Sequence, residues 1–285
     1  MSYDSPRFQL PPITPAIKVL LLVNAAVFLA NAALLGRLSD PSGGAGGFWF
    51  AFSWSNLFEG YGLGLLRAVT YQFTHSFREP MHLLMNMLVL FFFGTMCEQR
   101  LGAVGAVRLY LWGGLAGAIV HLCIASLQGQ ADVPLVGASG ACYAFLLYAT
   151  CMAPRSTVIL VIFAVPLWVL AALLVGIGVY STFVELATGF SGGVSHGAHL
   201  GGALLGALAY KASWFVEHRG RNGFFAELTA RWRTQRLARQ RLVAAERELQ
   251  LDEVLAKVKA HGISALSREE RRFLEGMSQR ARDGL

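Results

Sequence analysis

Six apolar stretches constrain this chain more than any other feature: Val19 to Leu35, Met81 to Cys97, Leu109 to Leu127, Gly137 to Ala153, Thr157 to Tyr180 and Gly197 to Val216. Each approaches the roughly 20 apolar residues that an α-helix needs to cross about 30 Å of hydrocarbon. Of the 285 residues, 55% are apolar and only 14% charged, too greasy a balance for a soluble domain of that length. In lipid every backbone N–H and C=O must find a partner within the protein, which a helix provides internally. The pattern predicts an all-α, polytopic membrane protein: a six-helix bundle over residues 17–216, a short leading tail at 1–16 and a helical trailing tail at 217–285. The first stretch follows Arg7 and Lys18 without a small-residue cleavage site, so it reads as a retained helix and not a cleaved signal peptide.

Charge orients the spans. Sixteen of the 24 Lys and Arg lie from Lys211 onward, against ten of the 17 acids, so nearly all of the net +7 sits in the trailing tail. The excess of cations places that tail on the cytoplasmic side, and an even number of spans places the N-terminus there too. Arg100, Arg108 and Arg155 in short connections agree with this orientation; Arg37, Arg67 and Arg78 fall in the long first loop, Gly36 to Pro80, where the rule is weaker. The expected location is a bacterial inner membrane, with both termini cytoplasmic.

The tail divides in two. Between Arg221 and Arg241 six arginines are interleaved with Phe224, Phe225, Leu228, Trp232 and Leu237, a basic amphipathic helix suited to an anionic leaflet. Nucleic-acid binding is the alternative for such a stretch, but no nucleic-acid-binding fold accompanies it, so the implied partner is the lipid bilayer. Leu251, Val254, Leu255 and Val258 then form a helical stripe stopped by Gly262, and Ser267-Arg-Glu-Glu270 forms a capping box that opens a last helix.

The polar residues within the spans carry the chemistry, because an ionisable group in hydrocarbon costs a few kcal/mol and is retained for a reason. Helices two, four and six run from outside to inside, so their first turns share one depth. Those turns hold His82 and Asn86 at i, i+4; Gly137-Ala-Ser139-Gly140; and Ser195-His196-Gly-Ala-His199. A serine hydroxyl becomes a nucleophile when a base takes its proton, a role open to His199. The oxyanion that follows needs fixed donors, which the Ser139 backbone N–H, the Asn86 amide and His82 can supply. Gly137 and Gly140 permit a tight turn, and Gly202 and Gly206 let the sixth helix press on the fourth. No Asp or Glu lies near these turns, so the set is a dyad. Cys97, Cys123, Cys142 and Cys151 fall in or beside spans without a CxxC pair and read as small buried hydrophobes; no metal or organic cofactor is implied. Asn24, Asn31 and His121 read as helix-to-helix hydrogen-bonding residues, and His75 reads equally as packing or functional.

In the order and spacing of these motifs, from Arg67 to Gly206, the chain resembles the rhomboid intramembrane serine proteases. The residues that carry the resemblance are the Gly137 to Gly140 segment with Tyr143 four residues after the serine, His82-x-x-x-Asn86, Glu98-x-Arg100, and His199-x-x-Gly202-x-x-x-Gly206. It implies a Ser139–His199 dyad, Tyr143 stacked beneath the histidine, and His82 and Asn86 lining an oxyanion hole. It also implies a first loop whose Phe48, Trp49, Phe50, Phe52, Trp54 and Phe58 rest in the outer leaflet. Two positions depart from the family's pattern: Leu66-Arg67 stands where Trp-Arg is common, and His196 occupies a polar site of variable identity. The reading is a serine endopeptidase that cuts single-span membrane protein substrates near the outer end of their helix, under a moving cap formed by Ala187 to Ser195. A non-catalytic relative that binds membrane helices is the alternative; a transporter would call for inverted repeats, which are not found.

Overall fold

The computed structural model describes residues 12–34, 50–57, 64–130, 133–160, 163–189, 193–216, 239 and 248–282. The predicted basic helix from Arg221 to Arg241, apart from Arg239, lies outside the described residues, as do Phe48, Trp49, Phe58 and residues 190–192 of the expected cap. The chain divides into two compact units, Met1–Glu217 and His218–Leu285.

In the first unit α1 spans Pro15–Ala33, and two short helices, α2 (Trp54–Leu57) and α3 (Gly64–Thr70), lead through a 3-10 turn (Tyr71–Phe73). Helix α4 (Pro80–Val89) runs through a π-helical turn (Leu90–Gly94) into α5 (Thr95–Leu127). Helix α6 (Ser139–Met152), an antiparallel hairpin of β1 (Thr157–Leu160) and β2 (Phe163–Pro166), α7 (Leu167–Thr188) and α8 (His196–Lys211) complete it.

Among the described residues three helices are long and apolar enough to cross a membrane: Pro15–Ala33, the 48 residues of Pro80–Leu127, and Leu167–Thr188. At about 1.5 Å per residue the second would be more than twice as long as the hydrocarbon is thick. It is broken at Gly102, whose φ of 77° and ψ of 172° suit glycine alone. The sequence predicts an open connection between Cys97 and Leu109; a single glycine takes its place. The fifth stretch differs more. Thr157–Leu160 and Phe163–Pro166 pair as strands, and the helix starts only at Leu167. The β-branched run favours extended backbone, and Pro166, with no N–H, bars a helix from crossing it. The fold is therefore mainly helical and not wholly so.

Helix α6 is the centre of the unit. Ala141, Ala144, Phe145, Tyr148 and Ala149 on it are fully buried, while Leu22 and Leu29 on α1 and Leu173, Ile177, Tyr180 and Phe183 on α7 are exposed. That is the arrangement of a bundle whose outer surface meets lipid. Phe52 departs from the expected interfacial belt: it is buried, stacked on Tyr71, and exchanges backbone hydrogen bonds of 3.0 and 2.7 Å with Leu135, whereas Trp54 is exposed. Asn24 joins α1 to Tyr110 of α5, and Asn31 donates to the His75 carbonyl, so both pair across elements as expected.

The start of α1 is completed from a distance. Thr14 precedes the helix and Pro15 at its first position has no N–H. The amides of Ala16 and Ile17 and the Thr14 hydroxyl all donate to the buried Glu98 carboxylate, while Lys18 N–H returns to the Thr14 carbonyl. An anion at a helix N-terminus is favoured by both the free amides and the dipole.

In the second unit the described part of α9, 248–261, ends at Gly262 (φ 80°), and a 3-10 turn (Ile263–Ala265) leads to α10 (Arg268–Arg282). Val254 and Leu266 are buried between them; Leu255 of the predicted stripe is exposed. The capping box forms as expected, with Glu270 N–H donating to Ser267 Oγ at 3.2 Å and Ser267 N–H to the Glu270 carboxylate at 2.7 Å. Lys257 also donates to that carboxylate at 2.8 Å. The Lys257 hydrogen bond first, and the Ser267 amide second, hold the Glu270 carboxyl below its ordinary range.

Two outcomes are expected. Glu98→Ala leaves the buried amides of Ala16 and Ile17 unpaired, at about 1–3 kcal/mol for each such group, so its thermal midpoint in detergent should fall well below that of Glu98→Gln, which keeps one acceptor. For Glu270 the folded carboxyl is the stronger acid, so its contribution to stability is full above the ordinary value of 4.5 and is lost as pH falls through the lower folded value. Amide exchange at the start of α10 should quicken below that pH in the intact protein, and Glu270→Gln should show the faster exchange already at neutral pH.

Candidate active site

Ser139 is the first residue of α6, reached through Gly137, whose φ of 109° is open to glycine and strained for other residues. The Gly137 amide donates to the Tyr71 carbonyl at 3.0 Å, which fixes the turn to the segment after α3. A Cβ on Gly137 would stand 2.8 Å from Cε1 of His82, so glycine also makes room for that imidazole. Ser139, His82, Asn86, Tyr143 and His199 all line one cavity of about 460 Å³. Motifs 117 residues apart at their extremes, His82 and His199, thus meet at one place.

His199 lies one turn into α8, with its ring stacked on Tyr143 at 4.4 Å between centroids and 10° between planes. His196 stands edge-on to it at 5.8 Å, at the margin and not on the cavity wall. Nδ1 of His199 is buried without a hydrogen-bond partner among the described residues. The tyrosine face and the helix backbone therefore orient this ring, with no carboxylate behind it. The Ser139 hydroxyl and the imidazole share the cavity without a mutual hydrogen bond.

The first turn of α6 is held against α8 by missing side chains. A Cβ on Gly202 would collide with the Gly140 carbonyl, and one on Gly206 with the Ala144 carbonyl. Backbone thus packs on backbone beside Ser139, which brings the helix that carries His199 as near as two helices can come.

His75, which the sequence left open between packing and function, is part of this site. It is fully buried, and its Nε2 accepts the Ala138 N–H at 3.3 Å, which leaves the ring proton on Nδ1. Asn86 Nδ2 meets the same Nε2 at 2.9 Å. One imidazole therefore links the Asn86 amide to the residue before Ser139. Cys142, a turn after Ser139, lines the cavity and donates Sγ–H to the Asn86 carbonyl. Neither partnership has a sequence signal, since the links to His75 and Cys142 join different elements at no helical spacing.

A match to the Rhomboid domain family covers residues 63–214, which include every candidate site residue and exclude the tail. The chain is 32% identical over 155 residues to RHOMBOID-like protein 12, mitochondrial, of Arabidopsis thaliana, a stretch that covers 50% of this chain and 44% of that protein. It is 33% identical over 142 residues to Rhomboid protein 1, mitochondrial, of Saccharomyces cerevisiae, covering 50% of this chain and 39% of that protein. The matched stretch spans less than half the length of either relative.

The Gly202 contact gives a sharp outcome. Gly202→Ala must push α8 away from the Gly140 carbonyl, so the thermal midpoint should drop and labelling of Ser139 by a fluorophosphonate should slow by about 10-fold or more, since small misplacements in a reacting pair cost up to about 100-fold. Ala203→Gly, at a buried neighbour, serves as the packing control.

Proposed function

We infer from two facts, that the chain belongs to the rhomboid family and that Ser139 and His199 share one cavity, that it is an intramembrane serine endopeptidase acting by a Ser–His dyad. The observation that carries this reading is the convergence of a hydroxyl, a tyrosine-stacked imidazole and oxyanion donors at the first turns of α6, α8 and α4. In the proposed reaction His199 takes the Ser139 proton as Oγ attacks the scissile carbonyl. The Ser139 N–H, at the positive end of α6, the Asn86 amide and His82 receive the oxyanion. His199 then protonates the leaving amine, and water attacks the acyl-enzyme with the same base assisting. Tyr143 holds the ring plane throughout.

The six-span arrangement belongs to the same proposal: Gly102 divides the Pro80–Leu127 helix into two spans, and α1, α6, α7 and α8 supply the rest. Both termini are then cytoplasmic if the membrane is a bacterial inner membrane. The relatives named as mitochondrial make a mitochondrial membrane the second location to test, with the site chemistry unchanged. Substrates are single-span proteins whose helix unwinds readily near its outer end. Unwinding in hydrocarbon strands backbone groups at several kcal/mol each, whereas at a polar cavity it does not.

The purified chain, incubated in detergent with a labelled single-span substrate, should yield one cut that mass spectrometry places near the outer end of the span. Ser139→Ala and His199→Ala should each abolish it, and the double variant should lose no more than either, because the pair acts as a unit. Full activity in either single variant would falsify the dyad. Binding of the substrate without a cut by the unaltered chain would favour the non-catalytic helix binder.

A further inference from the structure

His121 lies on α5, away from all the motifs above, yet it lines the same cavity and is only 7% exposed. Both of its ring nitrogens are engaged, and neither bond stays within its own helix. Nε2 meets the Val133 carbonyl at 3.1 Å, and Nδ1 meets Ser195 Oγ at 2.8 Å. A carbonyl only accepts, so the proton is on Nε2; in the neutral ring Nδ1 then accepts from the Ser195 hydroxyl.

Each partner leads directly into the site. Ser195 is the N-cap of α8: its Oγ accepts the Ala198 N–H at 3.3 Å, and its carbonyl accepts the N–H of His199 itself at 3.3 Å. Val133 stands two residues before Leu135, which is pinned to Phe52 by a reciprocal pair of backbone bonds, and the Gly137 turn into Ser139 follows. The same end of α5 also grips the end of α7, with Gln128 Nε2 donating to the Glu185 carbonyl and Gln130 Nε2 to the Gly189 carbonyl.

We propose that His121 is a positioning residue that ties the segment leading to Ser139 to the cap of the helix carrying His199, and so sets the distance between nucleophile and base. The proposal rests on the protease reading. It also answers a need of this site: His199 has no carboxylate on its buried Nδ1, so the placement of its ring depends on where the first turn of α8 is held. The Tyr143 face fixes the plane of the ring; His121 fixes the turn from which the ring projects.

The test uses the full chain in detergent with three substitutions. In His121→Asn the side-chain amide falls near the Nδ1 position and keeps the Ser195 contact. In His121→Gln it falls near the Nε2 position and keeps the Val133 contact. His121→Ala keeps neither. Cleavage of a single-span substrate is measured as kcat and KM separately, and amide exchange is followed by mass spectrometry at 133–138 and 195–200. The expected result for His121→Ala is a kcat lower by about 10- to 100-fold with KM within about 2-fold, as for a misplaced reacting pair. Exchange should quicken at both segments and not elsewhere, and Asn or Gln should restore part of kcat. A kcat within about 2-fold of the unaltered chain overturns the proposal. So does a chain-wide rise in exchange with no rescue by Asn or Gln, which marks a merely structural histidine. If the unaltered chain cuts nothing, the protease reading fails by itself; exchange then still decides, with quickening confined to the two segments supporting the tie and unchanged exchange overturning it.

Discussion

The contact between the backbones of α6 and α8 is the constraint on which the rest of the membrane unit depends. Gly202 and Gly206 stand against the carbonyls of Gly140 and Ala144 with no room for a side chain. Within lipid, apolar surface gains little by leaving hydrocarbon for more hydrocarbon, so helices associate through close packing and hydrogen bonds. Glycine makes the approach close enough for both, and the serine and histidine at the ends of the two helices inherit that closeness. Gly117, against the Ala198 carbonyl, extends the same device to α5.

With the helices drawn together, the polar groups among them must find partners, since water is not at hand in the hydrocarbon. Many do so by linking elements. Glu98 completes the first turn of α1, Tyr71 donates to Gly114, Tyr110 to the Gln72 carbonyl, and His75 gathers Asn86 and Ala138. A network of this kind is stiff because each member, once removed, leaves another unpaired. Such stiffness holds the polar groups around the cavity of His82, Asn86, Ser139 and His199 in fixed places.

Much of the membrane unit is legible along the chain. Length and apolarity of the runs called for membrane helices, and helical period grouped the polar residues near the starts of α4, α6 and α8. His82, Asn86, Ser139, Tyr143 and His199 do line or flank one cavity, and the capping box at Ser267 forms between near neighbours. Such features depend on composition, on helical period or on residues three or four apart, all of which a linear reading contains.

Other features follow only from how the bundle assembles. The stretch from Thr157 was apolar enough for a helix, yet its first part pairs across a hairpin and Pro166 delays the helix to Leu167, an outcome set by which partner the extended backbone finds. Phe52 was expected at the membrane surface and is instead buried, because Leu135 offers it a backbone partner 83 residues away. The partners of His75 and His121 lie on other elements, at 63 residues for Ala138 and 74 for Ser195. Hydrogen bonds of this kind depend on where three or more separately formed helices come to rest, and no local pattern of residue types encodes that position; only close packing of the assembled bundle does.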